Sequence, residues 1–190
     1  MNAPQALTER QVAKLTVDDF LLLDRSGAFA AYRKTELING TIVFVNAQYG
    51  RHLRVKIRLL RRLSDACDGL GGGLEAWSEG SIDMAPDSMP EPDLFITNAT
   101  PPDAPVPAAS VILICEVADS TVKDDLGEKA ELYARRGIPE YWVVDLPAGL
   151  IHQMWSPSAA GYAERHECKL GDRIDAATVA GLGVDTAGLV

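Results

Sequence analysis

Two carboxylates and a lysine are the residues of this sequence best suited to chemistry. Asp93 follows Pro92, Glu116 interrupts the apolar run Val111-Ile112-Leu113-Ile114-Cys115, and Lys123 and Lys129 follow within reach. Hydrolysing a phosphodiester at neutral pH requires offsetting charge on the phosphate oxygens and supplying a hydroxide-like nucleophile, and a bound Mg²⁺ or Mn²⁺ does both. Such ions take oxygen ligands, keep several waters and need few protein carboxylates. A lysine beside the pair would orient the attacking water and stabilise growing negative charge without competing for the metal. Each residue also has a plain structural reading. Asp93 suits a turn or strand entry after proline. Lys129 lies four residues after Asp125, the spacing of an exposed helical ion pair worth only about 0.3–0.5 kcal/mol. Glu116 is harder to explain so, because a carboxylate inside an apolar run needs a partner, a metal or a proton.

The surrounding elements must bring these groups together. Residues 111–117 read as a central strand covered on both faces, and a strand starting at Asp93 would, if paired with it, place both carboxylates at one rim. Residues 123–136 read as a helix ended by Gly137, and 141–145 as the next central strand, which fits a right-handed crossover. Upstream, Thr16 and Asp19 cap a helix that stops at Gly27, and Asn39-Gly40 between β-branched runs signals a hairpin that puts Glu36 on a strand. A helix over 49–68 ends at a glycine run, and short strands are expected at 74–78 and 81–85. Residues 98–110 hold four prolines and read as an exposed loop. Strands at 151–155 and 162–169 precede a weakly patterned C-terminus, with tail aromatics exposed for a homodimer. Residues 1–15 read as a tail and 16–190 as one α/β domain.

Bulk composition narrows the classes. At 47% hydrophobic residues the 190-residue chain has apolar surface enough to fold alone. No apolar run approaches the roughly 18 residues of a membrane span, no basic-then-apolar leader is present, and a cytoplasmic location without membrane contact is expected. Cys67, Cys115 and Cys168 form no CxxC pair and read as reduced thiols; His166 and Cys168 lack the further ligands of a zinc site, and His152 and His166 receive no role. The net charge of −9 is awkward for a nucleic-acid ligand. Yet the six basic residues from Arg51 to Arg62 include no acid among them, leaving 12 basic against 27 acidic elsewhere. Arg51, Arg54, Arg58 and Arg61 are therefore candidates for a nucleic-acid-facing helix, although charge runs of this kind are usually solvated faces.

Several segments, taken in order, carry a resemblance: Glu36-Leu37-Ile38-Asn39-Gly40, Arg51-His52, Glu91-Pro92-Asp93-Leu94, Cys115-Glu116-Val117, Gly127-Glu128-Lys129 with Tyr133, and Gly137-Ile138-Pro139-Glu140-Tyr141-Trp142-Val143-Val144-Asp145. Together they resemble the Uma-type family, small bacterial proteins classed as restriction endonucleases in the PD-(D/E)xK nuclease superfamily, over roughly residues 16 to 155. No single piece is specific; the ordered set is. The resemblance implies an α/β (α+β) fold, a mixed β-sheet flanked by helices, with a restriction-endonuclease-like core, an additional N-terminal hairpin and C-terminal strands. It implies Asp93 and Glu116 as metal carboxylates and Lys129 as the catalytic lysine, with Glu36 as an auxiliary ligand and His52 as a phosphate or water contact. Ala118 stands where the plain superfamily pattern has its lysine, so a lysine of the following helix takes that place, and Lys123 remains the second candidate. The expectation is a Mg²⁺- or Mn²⁺-dependent endonuclease acting on DNA. The competing expectations are a nuclease-fold binding or regulatory protein without efficient turnover, and a metal-dependent hydrolase of small phosphate compounds.

Overall fold

A computed structural model describes residues 12–45, 50–99 and 103–190. The first eleven residues of the expected tail, the expected helix start at Tyr49 and residues 100–102 of the proline-rich segment lie outside the described residues. Helix α1 (Val17–Arg25) opens on a reciprocal cap, in which the Thr16 hydroxyl accepts the Asp19 N–H at 3.2 Å and the Asp19 carboxylate accepts the Thr16 N–H at 2.9 Å. Its Val17 and Phe20 pack on Phe29, Leu37 and Met89. Strands β1 (Lys34–Ile38) and β2 (Thr41–Val45) pair through Asn39 and Gly40, whose φ values of 49° and 72° make the primed turn that Asn-Gly favours.

Helix α2 (Gly50–Leu70) presents Val55, Leu59, Leu63 and Cys67 to one face of a six-stranded sheet. The sheet comprises β3 (Glu75–Ser78), β5 (Leu94–Thr97), β7 (Val111–Ala118), β8 (Glu140–Asp145), β9 (Leu150–Ser158) and β10 (Gly161–Lys169), in the order β10-β9-β8-β7-β5-β3. β7 and β8 run parallel and the other neighbours antiparallel. Alternation along β7 gives Leu113, Cys115 and Val117 to the α2 side and Ile114 and Ala118 to the other core. Glu116 therefore projects toward that second side.

The second face is covered by one helical segment made of α3 (Val122–Asp124), a π-helical turn over Asp125–Lys129 and α4 (Ala130–Arg135). Ala130, Tyr133 and Ala134 bury against Phe95, Ile114, Tyr141 and Val143. The expected helix is thus present, but its second turn holds an extra residue, a widening frequent at functional sites.

Three expectations are corrected. The strand expected at 81–85 shortens to β4 (Ile82–Asp83), which pairs with β6 (Val106–Pro107) inside the segment expected to be loop. Pro107 has no N–H to extend that ladder, which keeps the pair short. The C-terminus forms the pair β11 (Arg173–Asp175) and β12 (Gly183–Asp185), whose Ile174, Leu182 and Val184 join the α2 core. Arg58 donates to the Gly188 carbonyl at 2.6 Å, Arg62 to those of Asp185 and Ala187, and Arg51 to that of Leu146. Fully buried Glu140 accepts from the Trp142 indole, the Gln153 amide and the Ala177 and Thr178 N–H groups at 2.6–3.1 Å, tying this segment to β8. Tyr162, expected on an exposed strand face, is buried and donates to the Ile138 carbonyl at 3.0 Å. No helix among the described residues is long and apolar enough to cross a membrane.

Candidate active site

Leu94 pairs with Cys115, so Asp93, one residue before β5, lies beside Glu116 near the end of β7. The two are bound directly: the Asp93 N–H donates to Glu116 Oε2 at 3.0 Å, and the Val117 N–H donates to Asp93 Oδ2 at 3.0 Å. Both are buried, at 4% and 3% exposure. The rim arrangement read from the sequence is present.

Each carboxylate has its own set of cationic or polar partners. On the α2 side, His52 Nε2 is 2.9 Å from Asp93 Oδ2, and Lys56, one turn later, holds its ammonium 3.6 Å from Asp93 Oδ1. Burial pushes the Asp93 carboxyl up, but the hydrogen bond and charge of His52, the Val117 N–H and Lys56 outweigh it and hold the group well below the usual carboxylate range. On the other side, Glu116 Oε1 accepts from Lys129 Nζ at 2.8 Å and from the Tyr133 hydroxyl at 3.0 Å. The Lys129 ammonium also lies 3.6 Å from Glu36 and 3.8 Å from Asp125. Burial disfavours its charge, yet Glu116, Glu36 and Asp125 outweigh that and raise its pKa, so Lys129 stays protonated. Lys123, the other candidate, is exposed on α3.

Glu36 reaches the site from β1, where Oε1 accepts the Glu91 N–H at 2.8 Å and so fixes the Glu91-Pro92-Asp93 turn. Its second oxygen faces Lys129, not Asp93. Among the described residues no three His, Cys, Asp or Glu side chains are grouped to hold a metal ion. The donor set is of the open kind: two carboxylates on neighbouring strands, which suits a hard ion that keeps most of its waters. On that chemistry Asp93 and Glu116 fit Mg²⁺ or Mn²⁺, with Glu36 positioned behind Lys129.

Asp125 completes the buried acids. Its Oδ2 accepts from the Thr121 hydroxyl at 2.6 Å, and burial, with Glu116 adding, raises its pKa to about 7 against Lys129 and Thr121. The folded chain therefore holds a proton that the unfolded chain releases near 3.8. The Asp125 contribution to stability is full below about pH 4 and lost as pH rises to 7. Asp125→Asn is expected to stabilise the protein at pH 8 by on the order of 2 kcal/mol and to change little at pH 4. Urea unfolding at the two pH values checks this, and an equal change at both would show that the carboxyl does not titrate in that window.

A family model described as "Uma2: Putative restriction endonuclease" matches residues 17–187. The chain belongs to the Uma2 family. The Uma2 match runs past residue 155, where the ordered motifs stop, and takes in the C-terminal strands. The crystal structure of a "putative nuclease belonging to DUF820" from Anabaena variabilis shares the Uma2 chain's fold, with a TM-score of 0.68 at 14% identity, over 92% of this chain and 97% of that one. No curated protein matches.

Sequence reasoning named Asp93, Glu116, Lys129, Glu36 and His52, and all five meet at one rim. It gave no role in the site to Lys56, to Tyr133, which stood in the motif with Lys129, or to Asp125, which it read as the surface ion-pair partner of Lys129. The available signal was spacing: Lys56 lies four residues after His52, and Tyr133 four after Lys129, hence on the same helix faces. The basic candidates divide. Arg54 and Arg61 are exposed on α2, while Arg51 and Arg58 bond backbone carbonyls, which leaves their charge unneutralised.

Proposed function

We propose that this Uma2 protein is a divalent-metal-dependent endonuclease that hydrolyses phosphodiester bonds of DNA. The observation that carries the reading is the bonded pair Asp93 and Glu116 on adjacent strands, with Lys129 on Glu116 at 2.8 Å. The family description and the nuclease named for the Anabaena structure support it. Asp93 and Glu116 would hold the ion. When bound, Mg²⁺ or Mn²⁺ would supply Lewis acidity and lower the pKa of a coordinated water.

The protein's own groups do the rest. Glu116, Glu36 and Asp125 hold Lys129 in its charged form, so it would act as an electrostatic partner of the phosphate and not as a base. Tyr133, also on Glu116 Oε1, holds that carboxylate in orientation. His52 fixes Asp93 Oδ2, and the Lys56 ammonium lies 3.6 Å from Oδ1, so the carboxylate is oriented from α2 through both oxygens. Arg54 and Arg61, exposed on the same helix within an acidic background, would add local positive charge for a nucleic-acid backbone.

The test is incubation of the purified chain with supercoiled plasmid, single-stranded DNA and a mononucleotide panel, each with Mn²⁺ and with EDTA. Nicking of the plasmid that EDTA abolishes is the expected result. Cleavage of small phosphate compounds alone would replace the polymer substrate with a small one. Metal and DNA binding without any turnover would make the chain a nuclease-fold binding protein.

A further inference from the structure

Lys56 belongs to none of the motifs that carry the family resemblance, yet its ammonium faces the Asp93 carboxylate alongside His52 and the Val117 N–H. It is 3% exposed, on the α2 face that carries His52 one turn earlier. Its ammonium lies 3.6 Å from Asp93 Oδ1 but donates at 2.7 Å to Glu79 Oε1. Glu79 is of a different character from the buried acids around Lys129. Its side chain is 54% exposed and it sits in the turn after β3 at φ 57°, a conformation that a non-glycine residue adopts at a cost. The hydrogen bond of Lys56 is the main cause that lowers the Glu79 carboxyl below its usual range.

The two carboxylates of the site are therefore countered unequally. Lys129 is held among Glu116, Glu36 and Asp125, all buried. Lys56 is held between Asp93 and a solvent-facing glutamate. A divalent cation on Asp93 would meet the Lys56 ammonium as a like charge at short range. Even at a water-like dielectric, a 2+ and a 1+ charge about 6 Å apart repel enough to change binding about tenfold. Glu79 works the other way, drawing the ammonium off Asp93 and adding a negative charge of its own.

Resting on the proposed metal-dependent reading, we infer that Lys56 and Glu79 form a positioning pair that sets the divalent-ion affinity of the site, Lys56 weakening it and Glu79 restoring it. The distinguishing signature is opposite signs from two residues bonded to each other, which general loss of structure cannot produce.

The experiment is calorimetric titration of Mn²⁺ into the wild-type chain, K56M and E79Q, with plasmid cleavage followed in parallel and cooperative thermal unfolding confirmed for each. K56M is expected to bind Mn²⁺ about tenfold more tightly and E79Q about threefold more weakly. Unchanged or weakened binding in K56M overturns the inference. If K56M fails to fold, E79Q, whose side chain is mostly in solvent, decides alone, and unchanged or tighter binding there overturns it. Wild-type cleavage with unshifted affinities sinks this pair and leaves the nuclease reading standing. Opposite shifts without cleavage support the pair and sink the nuclease reading, and a wild-type chain that neither binds Mn²⁺ nor cleaves sinks both.

Discussion

Asp93→Asn is expected to lose plasmid cleavage by at least about 10³-fold, together with measurable Mn²⁺ binding. The amide keeps the shape of the side chain and can still accept the Val117 N–H, so the fold should survive. What it removes is the charge that His52 and Lys56 hold in its ionised form. Asp93→Ala should be equally inactive but also less stable, by about 3 kcal/mol, because it removes the carboxylate that the buried imidazole of His52 bonds and that shares the Lys56 ammonium with Glu79. The two variants thus separate charge from structure. An Asp93→Asn protein that cleaves at the wild-type rate would place the metal elsewhere and remove the central assignment.

Lys129→Met is expected to reduce kcat by about 10²- to 10³-fold while Mn²⁺ binding persists. The lysine touches Glu116 through a hydrogen bond but is not itself a ligand type for the ion. Lys123→Met, on the exposed side of the same helical segment, should stay within about twofold of wild type. The pair of variants decides between the two lysines that the sequence leaves open. If Lys123→Met proves the inactive one, the contact of Lys129 with Glu116 is structural, and the π-helical turn serves packing alone.

The central strands and their carboxylates were legible because their signals are local. The run from Val111 to Val117 reads as a buried strand wherever it is placed, and Asn39-Gly40 dictates its own turn. Asp93 and Glu116 could be put on one rim because each sits at a strand end. Lys56 was not legible for the opposite reason. It lies in a run of arginines, and only its four-residue spacing from His52 distinguishes the lysine that turns inward from the arginines that grip carbonyls 123 to 130 residues further on or stay in water. Asp125 was read as one half of a surface ion pair with Lys129, and the spacing was right. Its burial follows from the packing of the helical segment on β7 and β8, which periodicity cannot convey through a turn with an extra residue. The strands β11 and β12 are three residues each, too short for alternation to show, and owe their place to Glu140 and to α2.

Helix α2 gathers these threads mechanically. Its first two turns carry His52 and Lys56 to Asp93, and its middle turns carry Arg58 and Arg62 to the carbonyls of residues 185 to 189. Along its length Leu59 and Leu63 lie under Leu182 and Val184 as part of the same core. The helix behaves as a beam pinned at a point remote from its working end. Loosening the pin would leave Asp93 and Glu116 on their strands but His52 and Lys56 out of line with Asp93, and errors of an ångström are enough to slow chemistry by orders of magnitude. A lesion in the last strand pair would then present itself as a catalytic defect in a protein whose catalytic residues are all intact.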